Sequence, residues 1–349
     1  MSPTWRCGGS GYRTGRSSST DCPARSRSAA ALGIIEPFDP DAITDVEAAG
    51  ACAAGAHLHN AALFGLQALR AMPGVTEEEM TDFIKQSIHY LALHEVGHTL
   101  GLMHNMKGTQ LWSREEAHNR AVTAEQGLYT SVMDYPAVNL AGPGRAQGEY
   151  WISTVGPYDH WAIRFGYDPS LEDDGAMAAH LARSTDPRHA FGNDADDMRA
   201  PGKAIDPRVN IYDMSSDAVG YAAWLMEYAR GLQGGLLDRN AEPGTSYHAL
   251  RNAYMILTGQ QATAGGVVSR YIGGVYLDHA PAEASQPDTP PLVPVPQEEQ
   301  KRALAILRRS TSNEVETQLV QLRHAGTVPE LRGTRTLDAL GADTPEIEQ

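Results

Sequence analysis

Apolar residues recur at helical spacing in the first third of the chain. The alanine-rich stretch 41–70 has apolar positions every three to four residues, which predicts a helix. After the break MPGV, Thr76 is followed three residues later by Glu79, which is the signature of a capping box at a helix start. We expect a long helix over 77–101 that ends at Gly101, because glycine takes the left-handed conformation without strain.

Similar patterns predict several elements downstream. The stretch 171–210 is acidic and shows no periodicity, so we expect it to be irregular. The proline-rich run PDTPPLVPVP predicts an extended connector of polyproline type. Helices are expected over 156–169, 218–232, 245–258 and 297–309, and a strand over 267–279.

Composition and charge narrow the class of protein. The 349 residues are 42% hydrophobic and 20% charged, which is typical of a globular protein with room for two domains. No apolar run approaches the ~18 residues of a membrane-spanning helix. The net charge of −15 argues against nucleic acid as a partner, because its phosphates would be repelled. The sequence leaves the oligomeric state open.

The chain has three cysteines, and they do not form a recognisable motif. Cys7, Cys22 and Cys52 contain no C-x-x-C pair, so the sequence does not predict a zinc site built on thiolates. None of them lies in a recognisable motif for switching an active site on or off.

Residues 94–105, HEVGHTLGLMHN, carry the strongest candidate chemistry. His94 and His98 are four residues apart, so on a helix their rings lie on one face and can bind one metal ion. Glu95 lies beside them and can reach a metal-bound water without ligating the ion. The alternative is an amphipathic helix whose imidazoles have no metal to bind, since so short a motif also occurs by chance.

The residues that follow favour the metal site. A turn at Gly101 would bring His104 back beneath the first two histidines, giving a three-histidine Zn²⁺ site with one position open to water. Zinc lowers the pKa of bound water toward ~7. Glu95 would accept that proton as a general base and later deliver it to a leaving amine. The sequence thus predicts one catalytic zinc ion.

HEVGHTLGLMH resembles the long H-E-x-x-H-x-x-G-x-x-H signature of the metzincin metalloproteases. That family also has a methionine turn beneath the zinc, and SVMDY supplies a candidate with Met133 in the turn. The resemblance implies that Met133 supports the site from below. It also implies that Tyr135 approaches the zinc and helps to stabilise the transition state.

Further sequence blocks make the resemblance narrower. HEVGHTLGLMHN, SVMDYPAVN, GPYDHWAIRFGYDP, DPRVNIYDMSSDAVGYA and YIGGVY are together similar to the bacterial Met-zincin-type zinc-dependent metalloproteases, over about residues 77–310. The resemblance implies a zinc-dependent endopeptidase that acts on a peptide or protein substrate. It also implies an extracytoplasmic protein, whether periplasmic, envelope-associated or secreted, and an α+β fold with a metzincin-like zincin catalytic domain.

One element of the metzincin pattern is not visible in the sequence. Metzincins place a twisted β-sheet before the active-site helix, and its edge strand pairs with the substrate backbone. We find no alternating β-branched pattern there, so we expect this sheet to be reduced or missing and the chain to be an N-terminally incomplete version of a larger protein. The expected organisation is an atypical or disordered start (1–33), a catalytic domain (34–170), a mainly helical C-terminal subdomain (171–325) and a flexible tail (326–349).

Three further interpretations concern the site and its surroundings. Glu115 or Glu116 could replace His104 as the third ligand, as in another class of zinc peptidase. The chain could be a truncated or inactive relative that acts as a zinc-binding or interaction module. The acidic run NDADD (193–197) lacks the residue order of a calcium loop, so we expect it to be a solvated loop.

Overall fold

The computed structural model describes residues 52–194, 196, 205–236, 247–279 and 290–310. Most of these residues are helical, and the strands are short. The longer helices are α1 (Ala54–Ala71), α2 (Glu77–Thr99), α3 (Arg120–Gln126), α4 (Pro157–Tyr167), α5 (Asp174–Leu181), α6 (Ala218–Gly234), α7 (Tyr247–Ser269) and α8 (Gln297–Ser310). The strands are β1 (Val275–Leu277) and β2 (Leu292–Pro294).

Both ends of α2 follow from local sequence. The Thr76 side chain accepts a hydrogen bond from the Glu79 amide, and the Glu79 carboxylate accepts one from the Thr76 amide, so the predicted capping box is confirmed. At the other end the Gly101 amide donates to the His98 carbonyl at 3.0 Å, and Gly101 has a φ of +83°. The predicted glycine ending is therefore also confirmed.

Only one face of α2 is buried in the described structure. The apolar residues Ile84 and Ile88 lie at helical spacing in this segment, yet they are 44% and 63% exposed. The buried side is instead a mixed stripe of apolar and polar residues, which consists of Phe83, Ser87, Tyr90, His94 and Gly97. Helical spacing thus predicted the element correctly, but it did not predict which apolar residues are buried.

One hydrophobic core joins the N-terminal and C-terminal helices. Buried apolar residues form a continuous cluster from Leu58 in α1 to Ile306 in α8. Helix α7 packs along α6 and also contacts α1 and α8. Near the centre of this core, Trp151 stacks on Tyr90 of α2, with ring centroids 5.9 Å apart. The core therefore crosses the predicted domain boundary at residue 170, although the division itself stays a prediction.

The sheet differs from the predicted strand. The predicted helix over 245–258 continues as α7 to Ser269, so the strand expected from residue 267 is wrong in its first part. Val267 and Val268 are β-branched, but both are buried in the helical core, and packing outweighs their propensity. The strands β1 and β2 pair antiparallel, with Tyr276 opposite Val293, so part of the proline-rich connector is a strand.

Two further predictions concern the region before α2 and the acidic stretch 171–210. Among the described residues no strand precedes α2, and residues 1–51 lie outside the description. The acidic stretch is not wholly irregular, because it contains α5, whose start is capped by the Asp173 side chain. No helix in the described ranges is both long enough and apolar enough to cross a membrane.

Candidate metal centre

The three predicted ligand histidines lie together at the end of α2. His94 and His98 project from the helix, and the glycine turn brings His104 back to them. The Nε2 atoms of His98 and His104 are 3.1 Å apart. One donor atom from each histidine, together with one from Cys52, falls in a group whose members all lie within 4.8 Å of one another.

The other nitrogen of each ring fixes its orientation. Each Nδ1 atom faces an oxygen that can only accept a hydrogen bond, so Nδ1 must donate, and in the neutral ring Nε2 then carries the lone pair. The three acceptors are the Val132 carbonyl for His94 at 2.9 Å, the Leu102 carbonyl for His98 at 3.1 Å, and the Asp194 carboxylate for His104 at 2.8 Å.

This arrangement fits a bound cation. When both rings are neutral, the Nε2 atoms that face one another at 3.1 Å have no proton to share, and a cation between them would bind both lone pairs. Imidazole nitrogens are common ligands of Zn²⁺, and second hydrogen bonds from Nδ1 are usual at such sites. The residues present therefore fit the zinc ion that the sequence predicts.

Burial and charge act differently on the pKa values of two of the predicted ligands. Burial lowers the pKa of His94 to about 3, so this ring is neutral and ready to ligate. Burial also lowers the pKa of His104, but the hydrogen bonds to Asp194 and Cys52, together with the charge of Asp194, outweigh burial and raise that pKa to about 9. A cation that binds at His104 must therefore displace a proton near neutral pH.

Glu95 and Tyr135 both face the cluster. The Glu95 carboxylate accepts from the Cys52 thiol at 3.6 Å, which places it on the side where the donor atoms converge. The Tyr135 hydroxyl lies 3.0 Å from the His104 Nε2 atom, and its ring is buried. The structure thus brings both residues to the site, while their catalytic roles stay predictions.

The methionine turn lies directly beneath α2. Met133 is fully buried, and its sulfur packs against the backbone of Gly97, where an added Cβ would overlap the thioether. The Met133 carbonyl accepts from the Asn105 amide at 3.0 Å, which ties the turn to the segment that carries His104. Gly97 is therefore a supporting residue that the sequence analysis missed, because its only signal is its place inside the H-E-x-x-H motif.

A buried carboxylate joins the same turn to α4. Asp159 accepts from the Ser131 hydroxyl at 2.6 Å and from the Val132 and Gly156 amides at 2.8 and 3.1 Å. Burial raises its pKa to about 6, although these hydrogen bonds favour the ionised form. Because Val132 also accepts from His94, Asp159 supports a ligand through one intervening residue.

Two further residues at the site were not predicted from sequence. Asp194 belongs to the acidic run NDADD, which was expected to be a solvated loop, yet its carboxylate binds His104. Cys52 lies with its sulfur 3.5 Å from the His94 Nε2 atom, although the cysteine spacing indicated no thiolate site. Neither residue has a local sequence signal, since each comes from a segment far from the motif.

The alternative third ligands lie elsewhere. Glu115 pairs with Arg145 at 3.1 Å, and Glu116 accepts from the Ser113 amide at 2.9 Å within its own turn. Neither belongs to the donor group that the described residues form. The geometry therefore favours His104 over both glutamates.

Comparison with known proteins agrees with these features. The family model described as Met-zincin matches residues 76–344, which is well over half of the chain. No curated protein and no solved structure matched the chain. The matched range contains the three histidines, Glu95 and the methionine turn. The chain therefore belongs to the Met-zincin family, a family of metzincin-type zinc metalloproteases.

Proposed function

We propose that this chain is a zinc-dependent endopeptidase that hydrolyses peptide bonds in a peptide or protein substrate. One observation carries the proposal: the Nε2 atoms of three oriented histidines converge, and a carboxylate lies on the same side of them. His94, His98 and His104 would hold one Zn²⁺ ion. A bound zinc ion would polarise the substrate carbonyl and make a water molecule more acidic.

The remaining steps would use side chains of this chain. Glu95 would accept the proton of the attacking water and then donate it to the departing amine nitrogen. The Tyr135 hydroxyl would donate a hydrogen bond to the oxyanion that forms on the substrate carbonyl. Met133 would not contact the substrate. Its side chain, packed against Gly97, would keep α2 at a fixed distance from the turn.

Glu95→Gln tests the catalytic step. This variant should retain zinc but lose about 10²–10⁴-fold in peptide hydrolysis, because the amide cannot act as a general base. Glu125→Gln is the matched control, since Glu125 is an exposed residue of α3. Hydrolysis would be followed with a mixture of denatured proteins, by mass spectrometry of new termini. Undiminished cleavage by Glu95→Gln would contradict the proposal.

The ligand set is tested separately. His104→Ala should lose zinc in equilibrium dialysis, whereas Glu116→Ala should keep one zinc per chain, because only the histidine lies at the donor cluster. The reverse result would favour a glutamate as the third ligand.

The second candidate function is a zinc-binding module without peptidase activity. It is favoured by the absence of a strand before α2 among the described residues, since such a strand would pair with a substrate backbone. Zinc binding without cleavage of any denatured protein, by the parent and by Cys52→Ser alike, would support this function. The extracytoplasmic location implied by the resemblance also stays a proposal, and cell fractionation would test it.

A further inference from the structure

The thiol of Cys52 occupies the open side of the histidine cluster. Its sulfur lies 3.5 Å from the His94 Nε2 atom and 3.7 Å from the His104 Nε2 atom. The same sulfur is 3.6 Å from the Glu95 carboxylate and 3.4 Å from the Tyr135 hydroxyl. Cys52 therefore lies between the ligands and the two residues that would act on water and substrate.

These distances match those of a tetrahedral zinc site with one sulfur and three nitrogen ligands. Zinc–sulfur bonds of about 2.3 Å and zinc–nitrogen bonds of about 2.0–2.1 Å, at tetrahedral angles, separate the sulfur from each nitrogen by about 3.6 Å. The two observed separations, 3.5 and 3.7 Å, bracket this value. We propose that the Cys52 thiolate is the fourth zinc ligand and that it holds this metalloprotease in a latent state. This inference rests on the proposed function of the three histidines.

The position of Cys52 in the fold supports this role. Cys52 lies two residues before the first residue of α1, and the Ala54 amide donates to its sulfur at 3.5 Å. The sulfur therefore lies beside the N-terminal end of α1. Helix α1 is anchored by Phe64 and Leu69, which are fully buried. The sulfur is thus held at the cluster by an element that belongs to the core.

Ligation by Cys52 would block catalysis without any redox step. The thiol gives its proton to solvent, its sulfur forms a bond to zinc, and the water molecule at that position leaves. Glu95 then has no water to deprotonate. Four protein ligands are typical of structural zinc sites, whereas catalytic sites keep one position open. Displacement of the segment that carries Cys52 would restore the open position.

The experiment uses the full chain with Cys7→Ser and Cys22→Ser, which leaves Cys52 as its only thiol. The rate of labelling by iodoacetamide is measured with one bound zinc and after removal of the metal by a chelator. We expect labelling to be at least about tenfold slower with zinc, because a ligating thiolate is a poor nucleophile. Replacement of zinc by Co²⁺ should also give a sulfur-to-metal charge-transfer absorption that Cys52→Ser removes.

Two variants in the same background complete the test, and circular dichroism verifies that each is folded. His104→Ala should lose both the metal and the protection of Cys52. Cys52→Ser should bind one zinc less tightly than its parent and yet hydrolyse peptides faster, since the blocking ligand is gone. Zinc that binds without slowing the labelling, with a cobalt spectrum that Cys52→Ser leaves unchanged, would overturn this inference alone and leave the three-histidine site intact. Failure of the parent to bind zinc would overturn both this inference and the proposed function.

Discussion

At the scale of single residues, the three predicted ligand histidines differ in what holds them. His94 and His98 donate to backbone carbonyls, whereas His104 donates to the carboxylate of Asp194. A charged acceptor makes the imidazole a stronger ligand and fixes the orientation of its ring. His104 follows the helix end rather than lying within the helix, so it depends on this contact more than the other two histidines do.

Asp194→Asn should therefore weaken zinc binding. We expect an increase in the zinc dissociation constant of about 10- to 100-fold, which is typical for loss of a carboxylate partner behind a ligand histidine. Competition with a chromophoric chelator measures it. Asp196→Asn removes the same charge from the same loop, but the Asp196 carboxylate accepts from Asn193 rather than from a ligand. Equal weakening by both variants would mean that the net charge of the loop, and not the contact, sets the affinity.

Gly97 has a packing role that can be isolated. A methyl group at this position would overlap the sulfur of the fully buried Met133, so the core would have to shift to accommodate it. Gly97→Ala should lower the free energy of unfolding by about 1–3 kcal/mol, the usual cost of overpacking a core. Urea denaturation of the zinc-free chain measures this change.

The matched control for Gly97 lies in α4. Gly166 is also within a helix, and an added Cβ there meets no atom within 4 Å. Gly166→Ala should be neutral or stabilise the chain by up to about 1 kcal/mol, because alanine favours the helix. If the two substitutions had the same effect, contact with Met133 would not be the cause.

At the scale of elements, the methionine turn is held between two helices. The His94 imidazole of α2 donates to the Val132 carbonyl of the turn. The Asp159 carboxylate, near the start of α4, accepts from the Val132 amide. Ser131 links the two halves, since its hydroxyl donates to Asp159 and accepts from the Met133 amide at 3.0 Å. The turn has no regular hydrogen-bonding ladder of its own, so these side chains determine its shape.

Asp159 makes the stability of this junction depend on pH. Its pKa is raised from 3.8 to about 6 by burial, so its contribution is fully present below pH 3.8 and is lost as the pH rises through about 6. An asparagine at 159 could accept from the two amides and donate to Ser131. The unfolding free energy of Asp159→Asn, relative to the parent, should rise by up to about 3 kcal/mol between pH 4 and pH 7.

A partly exposed carboxylate, Asp168, provides the comparison for Asp159. Hydrogen bonds from Ser170 lower the pKa of Asp168 to about 2, so its contribution is present above pH 3.8 and is lost on acidification. Asp168→Asn should therefore become less stable than the parent as the pH rises, which is the opposite sign. Urea denaturation of both variants across the pH range tests the assignment, and a flat difference for Asp159→Asn would refute it.

At the scale of the whole molecule, the metal site and the C-terminal helices share one core. Helix α7 contacts both α6 and α1, and α1 lies against the helix that carries His94 and His98. These elements bury their apolar faces in one cluster, so unfolding of the site would also expose apolar surface in the cluster to which α7 belongs.

Zinc should therefore stabilise α7 as well as the site. At a zinc concentration of about 100 times the dissociation constant, the free energy of unfolding should increase by about 2.7 kcal/mol. Hydrogen exchange of the most protected amides in α7 measures whether this increase reaches the C-terminal helices. Protection that rises only in α2 and the methionine turn would indicate two independent folding units, in agreement with the predicted boundary at residue 170.

The sequence alone determined the features that depend on neighbouring residues. The capping box at Thr76 and the glycine at the end of α2 each act within one helical turn, and both were predicted and confirmed. The spacing of His94, His98 and Glu95 likewise follows from helical geometry alone. The family could therefore be recognised from short blocks of sequence.

Tertiary structure decided everything that depends on distant segments. Asp194 and Cys52 lie 90 and 42 residues from the histidines they contact, and no periodicity connects them. The exposure of Ile88 and the helical state of Val268 were also set by what packs against them, not by their own propensities. Local rules fix where a helix begins and ends, whereas burial and the partners of a side chain depend on how the whole chain fills its core.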